Sequence, residues 1–256
     1  MLHMDDDRGL YIAGMRSQSF VDEPKKTVAM IYLQGCNLDC GFCHNSALIP
    51  MFTRESKRTT VEQLLEKLEG NFLIDGVVFT GGEPLLQSNI IDFVKAVKAK
   101  IPFVAVDTNG TNPALLAKLS PLLDRVAMDV KASLENYPRV VRKNVNVDNV
   151  RKSIDILCKR SRETGRVEFR MTYAPPANSI DDIMAIADHL KYAGFSGNFG
   201  SYYVIQQYLP SDGVREANRK SYETVVVEKL RIIADNVKEY GIPVAIRCQE
   251  LGYIVA

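Results

Sequence analysis

Val28-Ala29-Met30-Ile31-Tyr32-Leu33 leads straight into Gln34-Gly35-Cys36-Asn37-Leu38-Asp39-Cys40-Gly41-Phe42-Cys43. The first six residues are a short apolar run, of the kind that marks a strand buried on both faces in a parallel sheet. The rest is a loop carrying three cysteines within eight residues. In folds built from strand–helix repeats, functional groups collect in the loops at the C-terminal ends of the strands. A buried strand that empties into reactive side chains fits the first repeat of such a fold.

Outward from this junction the pattern repeats. Further buried-strand runs fall at 77–80, 103–107, 126–130, 167–172, 203–206 and 244–246. Between them lie amphipathic helical stretches. Val61, Leu64, Leu65 and Leu68 recur at helical spacing, with Thr60 and Gln63 placed as a capping box and Gly70 as a C-cap. Similar apolar faces come from Ile90, Phe93, Val94 and Val97, from Val150, Ile154 and Leu157, from Ile180, Ile183, Met184 and Ala187, and from Val226, Leu230, Ile233 and Val237. Strands alternating with helices predict an α/β fold with a parallel sheet. This many repeats without a linker predict a barrel or partial barrel in place of two separate domains.

Composition narrows the partners. The chain has 256 residues, 46% hydrophobic and 25% charged, with 32 basic against 31 acidic side chains and a formal net charge of +1. Without a long single-sign run, no nucleic-acid surface and no polybasic membrane patch is expected. Met1 to Asp7 is acidic where a secretory signal is basic, and no apolar run approaches the roughly 20 residues that span a bilayer. A cytoplasmic protein acting on small molecules or proteins is the expectation. Five cysteines, three of them clustered, suit metal binding better than a disulfide framework.

Three thiolates on one short loop can hold three corners of a cubane iron–sulfur cluster and leave the fourth iron open. The next strands end in Thr80-Gly81-Gly82-Glu83-Pro84, Asp107-Thr108-Asn109-Gly110 and Met128-Asp129-Val130-Lys131, and a barrel brings all of these to one rim. The glycine pair allows close approach to backbone. Glu83, Asp107 and Asp129 suit an ammonium or hydroxyls, and Lys131 suits a carboxylate. That set complements an amino acid and a ribose. Each motif also has a plainer reading. The cysteines with His44 would make a structural zinc site. Gly81 to Glu83 and Asp107 to Gly110 would be ordinary turns, and the Asp129–Lys131 alternation a strand end. Arg170 suits an ion pair equally well. Cys158 and Cys248 read as buried structural thiols.

Cys36-x-x-x-Cys40-x-x-Cys43, with Phe42 at the aromatic position and Gly81-Gly82-Glu83 after the next strand, resembles the radical S-adenosylmethionine (radical SAM) family. Within it, Gln34-Gly35-Cys36, Cys43-His44-Asn45, Thr80 to Gln87, Asp107 to Pro113, Ala127 to Ala132 and Tyr203 to Tyr208 look most like the activating enzymes of glycyl radical enzymes. The likeness is greatest to those of anaerobic ribonucleoside-triphosphate reductases, over roughly residues 18 to 210. Two stretches depart from that pattern: Asp22-Glu23-Pro24 is followed by Lys25 where these proteins have glycine, and Ala174-Pro175-Pro176-Ala177-Asn178 replaces a Val-Pro-Gly.

The resemblance implies an open, partial parallel β/α barrel of about six strands in one domain, residues 1–256. Residues 1–25 would be an N-terminal extension, 26–210 the barrel core, and 211–256 a C-terminal helix and strand. It implies a 4Fe-4S cluster on Cys36, Cys40 and Cys43, with S-adenosylmethionine as cosubstrate. Gly81, Gly82 and Glu83 would meet its ammonium, Asp129 and Lys131 its ribose or carboxylate, and Phe42 its adenine edge. Asp107, Thr108 and Asn109 would line the same pocket or a monovalent-cation site. Arg170 and Gln206 are further candidates for carboxylate and ribose. The implied partners are a glycyl radical enzyme as protein substrate and a reduced flavodoxin or ferredoxin-like electron donor. A radical enzyme acting on a free small molecule, and a non-catalytic metal or redox protein, are the other readings these residues allow.

Overall fold

The computed structural model describes residues 9–51 and 57–256. In chain order its elements are β1 (Leu10–Ser19), β2 (Val28–Leu33), β3 (Arg58–Thr59), α1 (Val61–Glu69), β4 (Gly76–Gly81), α2 (Ile90–Lys98), β5 (Phe103–Thr108), α3 (Pro113–Leu119), β6 (Arg125–Asp129), α4 (Tyr137–Val141), α5 (Val147–Glu163), β7 (Arg166–Tyr173), α6 (Ile180–Tyr192), β8 (Tyr202–Gln207), α7 (Val227–Lys238), β9 (Val244–Cys248) and β10 (Gly252–Val255). All the strands join one sheet in the order β10-β9-β8-β7-β6-β5-β4-β2-β1-β3. β2 and β4 through β9 run parallel, in the order the strand–helix alternation predicts. β1 is antiparallel on β2, β3 on β1, and β10 on β9, so the sheet has two free edges and the barrel is open.

The parallel series has seven strands, one more than the six or so of the expected core, because β9 continues it beyond residue 210. At the other end the expected extension contributes β1, while residues 1–8 lie outside the described residues. β1 carries no buried-strand signal in the sequence because it is half-exposed, covered on its outer side by β3 at Leu10 and Tyr11, and interrupted by register shifts near Gly14 and after Arg16. β3 is two residues long, and β10 is a partly exposed edge.

Period-two alternation sorts each strand's side chains between two environments. Ile31, Phe79, Val106, Val126, Phe169 and Ile205 join the main core, which the helices cover. The alternate positions Met30, Val78 and Ala105, with Val28 and Phe103, form a second small apolar cluster. Farther round the sheet the residues at alternate positions are charged or polar. Helix ends are closed as the sequence indicates: the Thr60 hydroxyl accepts from Gln63 N at 3.3 Å while Gln63 Oε1 accepts from Thr60 N at 3.0 Å. α6 carries the same device with Ser179 and Asp182. Among the described residues, no helix is long and apolar enough to cross a membrane.

Candidate active site

The loop after β2 is pinned by its backbone. Gly35 N donates to Leu48 O at 2.8 Å, Cys36 N to Ile49 O at 3.1 Å, and Asp39 N to Val141 O at 2.9 Å. Cys40 is buried and Cys36 and Cys43 are half-buried. Burial pushes the Cys36 thiol up to about 11 and Cys40 up to about 12, and raises Cys43 as well. Thiols this hard to ionise in the free chain become thiolates when a metal takes the proton's place. Lys131 lowers the pKa of all three, partly offsetting burial.

The glycine pair after β4 packs against this loop more closely than any side chain permits. A Cβ on Gly81, whose φ is +118°, would stand 2.3 Å from Leu33 N, and one on Gly82 would stand 2.0 Å from Gly35 O. Gly82 N donates to Leu33 O at 2.9 Å and Glu83 N to Gly35 O at 2.7 Å. The Glu83 carboxylate turns the other way and is 1% exposed. It accepts from Thr108 Oγ1 at 2.6 Å, Leu85 N at 2.9 Å and Asn109 N at 2.6 Å. Burial pushes it up to about 7 against the pull of those donors. Glu83 thus ties the β4 and β5 loops together. Asn109 Nδ2 donates to Asn37 Oδ1 at 2.9 Å and Asn37 Nδ2 to Thr111 Oγ1 at 2.8 Å, which fastens both to the cysteine loop. Asp129 and Lys131 pair at 3.0 Å. Burial disfavours the Lys131 charge, but Asp129 and the nearby Cys40 outweigh it and hold the ammonium above its usual range.

Beneath the rim lies a buried ionic floor. Arg125, 0% exposed, lies 2.8 Å from Glu23 and 2.9 Å from Asp107. Arg166 pairs with Glu23 and Glu168, and Arg170 reaches Asp107 at 3.1 Å and Glu168 at 2.9 Å. Despite burial, Arg170 and Arg125 hold Asp107 below the usual carboxylate range, and Arg170, Arg125 and Arg166 hold Glu168 well below it. Two guanidiniums occupy the two Asp107 oxygens, so this carboxylate is the node of an ion network and does not offer a monovalent cation a free anion. Thr108 and Asn109, the other expected members of that cation site, are hydrogen-bonded to Glu83. Arg170 is likewise engaged, as its ion-pair reading anticipated.

All fourteen side chains and glycines singled out in the sequence line one cavity of about 270 Å³: Cys36, Cys40, Phe42, Cys43, Gly81, Gly82, Glu83, Asp107, Thr108, Asn109, Asp129, Lys131, Arg170 and Gln206. Several other contributors were not among the candidate site residues. Met30, Tyr32, Thr80, Thr172 and Arg247 reach the cavity by strand alternation, and Asp22 by the turn after β1. Buried Asn178 donates to Lys131 O at 3.0 Å and Thr172 O at 2.8 Å, joining the ends of β6 and β7. It belongs to the departing Ala174–Asn178 stretch. The connection between β8 and α7 straps the cysteine loop: His44 Nε2 meets Leu209 O at 2.7 Å, Ser46 Oγ donates to Gly213 O at 2.7 Å, Arg215 pairs with Asp39, and Tyr222 meets the Phe42 ring edge-on at 5.9 Å. His44 is thereby engaged through its ring.

The residues fit the cluster. Among the described residues no three His, Cys, Asp or Glu side chains converge where one ion could be held, and a cubane asks for no such convergence, since each thiolate binds its own iron. The glycine cradle, the rim cation and the adjoining cavity fit an amino-acid-bearing cosubstrate beside it.

Comparison with known proteins agrees with this chemistry. The model of the Radical SAM superfamily matches residues 30–190. A protein of Methanocaldococcus jannaschii, provisionally assigned as a glycyl-radical enzyme activating enzyme, is 35% identical over 217 residues, 82% of this chain and 84% of its own. A protein of Thermococcus kodakarensis, provisionally assigned as a GTP 3′,8-cyclase, is 26% identical over 220 residues, 84% of this chain and 69% of its own. Among solved structures, QueE from Escherichia coli superposes with a TM-score of 0.56 at 13% identity, covering 96% of this chain and 100% of that one.

Proposed function

This chain belongs to the radical SAM superfamily, and on that premise we propose that it is an activase that installs a glycyl radical on a partner enzyme, an anaerobic ribonucleotide reductase or a similar protein. Carrying the proposal is the 35% identity to a relative provisionally assigned as an activating enzyme, which extends over most of both chains. In this reading Cys36, Cys40 and Cys43 hold a 4Fe-4S cluster. When reduced, such a cluster supplies the electron that splits bound S-adenosylmethionine into methionine and a 5′-deoxyadenosyl radical able to take hydrogen from a glycine. Gly81 and Gly82 admit the methionine end beside the cysteine loop. Lys131 balances its carboxylate, Asp129 takes ribose hydroxyls, and Phe42 meets the adenine edge. Glu83, Thr108 and Asn109 act by holding those loops in register. The protein substrate would reach the cavity at the rim, and a flavodoxin- or ferredoxin-like donor would supply the electron.

The test is anaerobic. The protein is reconstituted with iron and sulfide, reduced and given S-adenosylmethionine, and 5′-deoxyadenosine is quantified with and without a candidate glycyl radical enzyme. Deoxyadenosine that rises with the partner, together with a glycyl radical signal in the partner's electron paramagnetic resonance spectrum, is the expected result. Cys40→Ala abolishes both, along with the cluster's visible absorption. Turnover unaffected by any partner but stimulated by a nucleotide such as GTP would overturn the activase reading in favour of a small-molecule enzyme.

A further inference from the structure

One row across the cavity wall away from the cysteines is built for a ligand group. Thr172 of β7 pairs in register with Gln206 of β8, and Gln206 with Arg247 of β9; all three line the cavity. Of these, only Gln206 entered the sequence expectation, as a candidate for the carboxylate or ribose of the cosubstrate. Among the described residues, neither the Thr172 hydroxyl nor the Gln206 amide has a hydrogen-bond partner. Arg247 Nη2 donates to Val21 O at 3.0 Å and to Asp22 O at 3.5 Å, and the guanidinium lies 5.9 Å from the Tyr253 ring. Among the described residues, it has no carboxylate within ion-pair distance.

Arg247 stands outside the ion pairs of the floor. Of four guanidiniums, Arg125, Arg166, Arg170 and Arg247, the first three are ion-paired to Glu23, Asp107 and Glu168. The three carboxylates are shared among the first three guanidiniums. Asp22, a further carboxylate lining the cavity, accepts from Ser19 Oγ at 2.6 Å, lies 3.9 Å from Arg16 and favours the Arg247 charge from beyond ion-pair distance. Burial and the Arg170 charge beside it pull the Arg247 guanidinium below its ordinary range, against the opposite pull of Glu168, Asp22 and Asp107. A planar guanidinium flanked by an amide and a hydroxyl matches the oxygens of a carboxylate.

We infer that the Thr172–Gln206–Arg247 row binds a carboxylate of the hydrogen-donating substrate. The inference rests on the cavity being the reaction chamber of the proposed function, and it names what that chamber recognises. The methionine carboxylate has its own cation in the proposed function: Lys131, at the rim with Asp129 and lining the cavity together with the three cysteines. A carboxylate on this row comes either from an acidic residue of a polypeptide or from a free small acid.

Binding is read on the protein without cluster or S-adenosylmethionine, so that failure here is separate from failure of radical chemistry. Thermal unfolding is followed while acetate, N-acetyl-glycyl-aspartate or N-acetyl-glycyl-asparagine amide replaces chloride at constant ionic strength. A saturable rise in Tm is expected with at least one of the two carboxylates and not with the amide. Response to the peptide acid alone assigns a polypeptide source, and response to acetate a free small acid. Arg247→Gln weakens the response about tenfold or more, and Thr172→Val, which leaves every floor contact intact, weakens it several-fold. Equal responses in the wild type and both variants, or no response to either carboxylate, would overturn the inference.

Discussion

The rim and the floor of this cavity are made from the same residue types and put them to opposite uses. At the rim, the Asp129–Lys131 pair is partly exposed, with side chains 35% and 17% accessible, and the glycine backbone lies open to the cavity. From the level of Asp129 to four residues below it along the strands, Arg170, Asp107, Glu168 and Arg125 neutralise one another and are nearly all sealed from water. The rim keeps groups free for a ligand. The floor consumes its charges to hold the strands and the Glu23 turn in place. A buried ion network adds little stability compared with a well-packed apolar core, but breaking one member leaves charges stranded. Floor substitutions should therefore act on folding, and rim substitutions on loading and turnover.

Arg125→Met is the severest test of that contrast. It nearly keeps the volume but leaves Glu23, Asp107 and Glu168 to share two guanidiniums, Arg166 and Arg170, so that one buried negative charge is uncompensated, at a cost of about 3–5 kcal/mol, which urea unfolding would register as a lower midpoint at unchanged slope. A loss under about 1 kcal/mol, the value of an exposed pair, would erase the distinction between floor and rim. Gly82→Ala probes the rim. The added Cβ meets Gly35 O, next to Cys36, so a cost of about 1–3 kcal/mol is expected together with reduced iron and sulfide content after reconstitution. Gly14→Ala, where nothing lies within 4 Å, is the matched control.

Glu83 lies where the two regimes meet, and its effect is spread over a range of pH. Between its ordinary pKa of 4.5 and the value near 7 that burial imposes, the folded state keeps a proton that the unfolded chain has released. Stability therefore falls as pH rises through that window, by at most about 1.4 kcal/mol per pH unit. In Glu83→Gln the decline disappears. An identical pH profile in the variant would mean that Glu83 is ionised throughout, as its three donors favour.

Much of this was legible in the chain. The seven parallel strands announce themselves as short apolar runs because both their faces are covered. The loops at their ends show as polar or glycine clusters because nothing else interrupts those runs. β1 and β10 were hidden by the same logic: a strand at or next to the sheet edge with one half-exposed face carries no continuous apolar signal. Asp107 and Asp129 look alike in sequence, each ending a buried strand, and only the neighbours brought by β6 and β7 made one an ion-pair node and the other a rim group. Thr172 and Arg247 lie inside or after ordinary strand patterns and carry no motif at all.

The α/β alternation, the cysteine loop and the glycine cradle are written in the chain, because they depend on local spacing and on residue types that few other roles require. Tertiary structure alone decided which charges are consumed and which remain free. Ion pairing depends on cross-strand register and on a turn, at Glu23, more than a hundred residues from Arg125 and Arg166. No local pattern in the chain records a partner that distant.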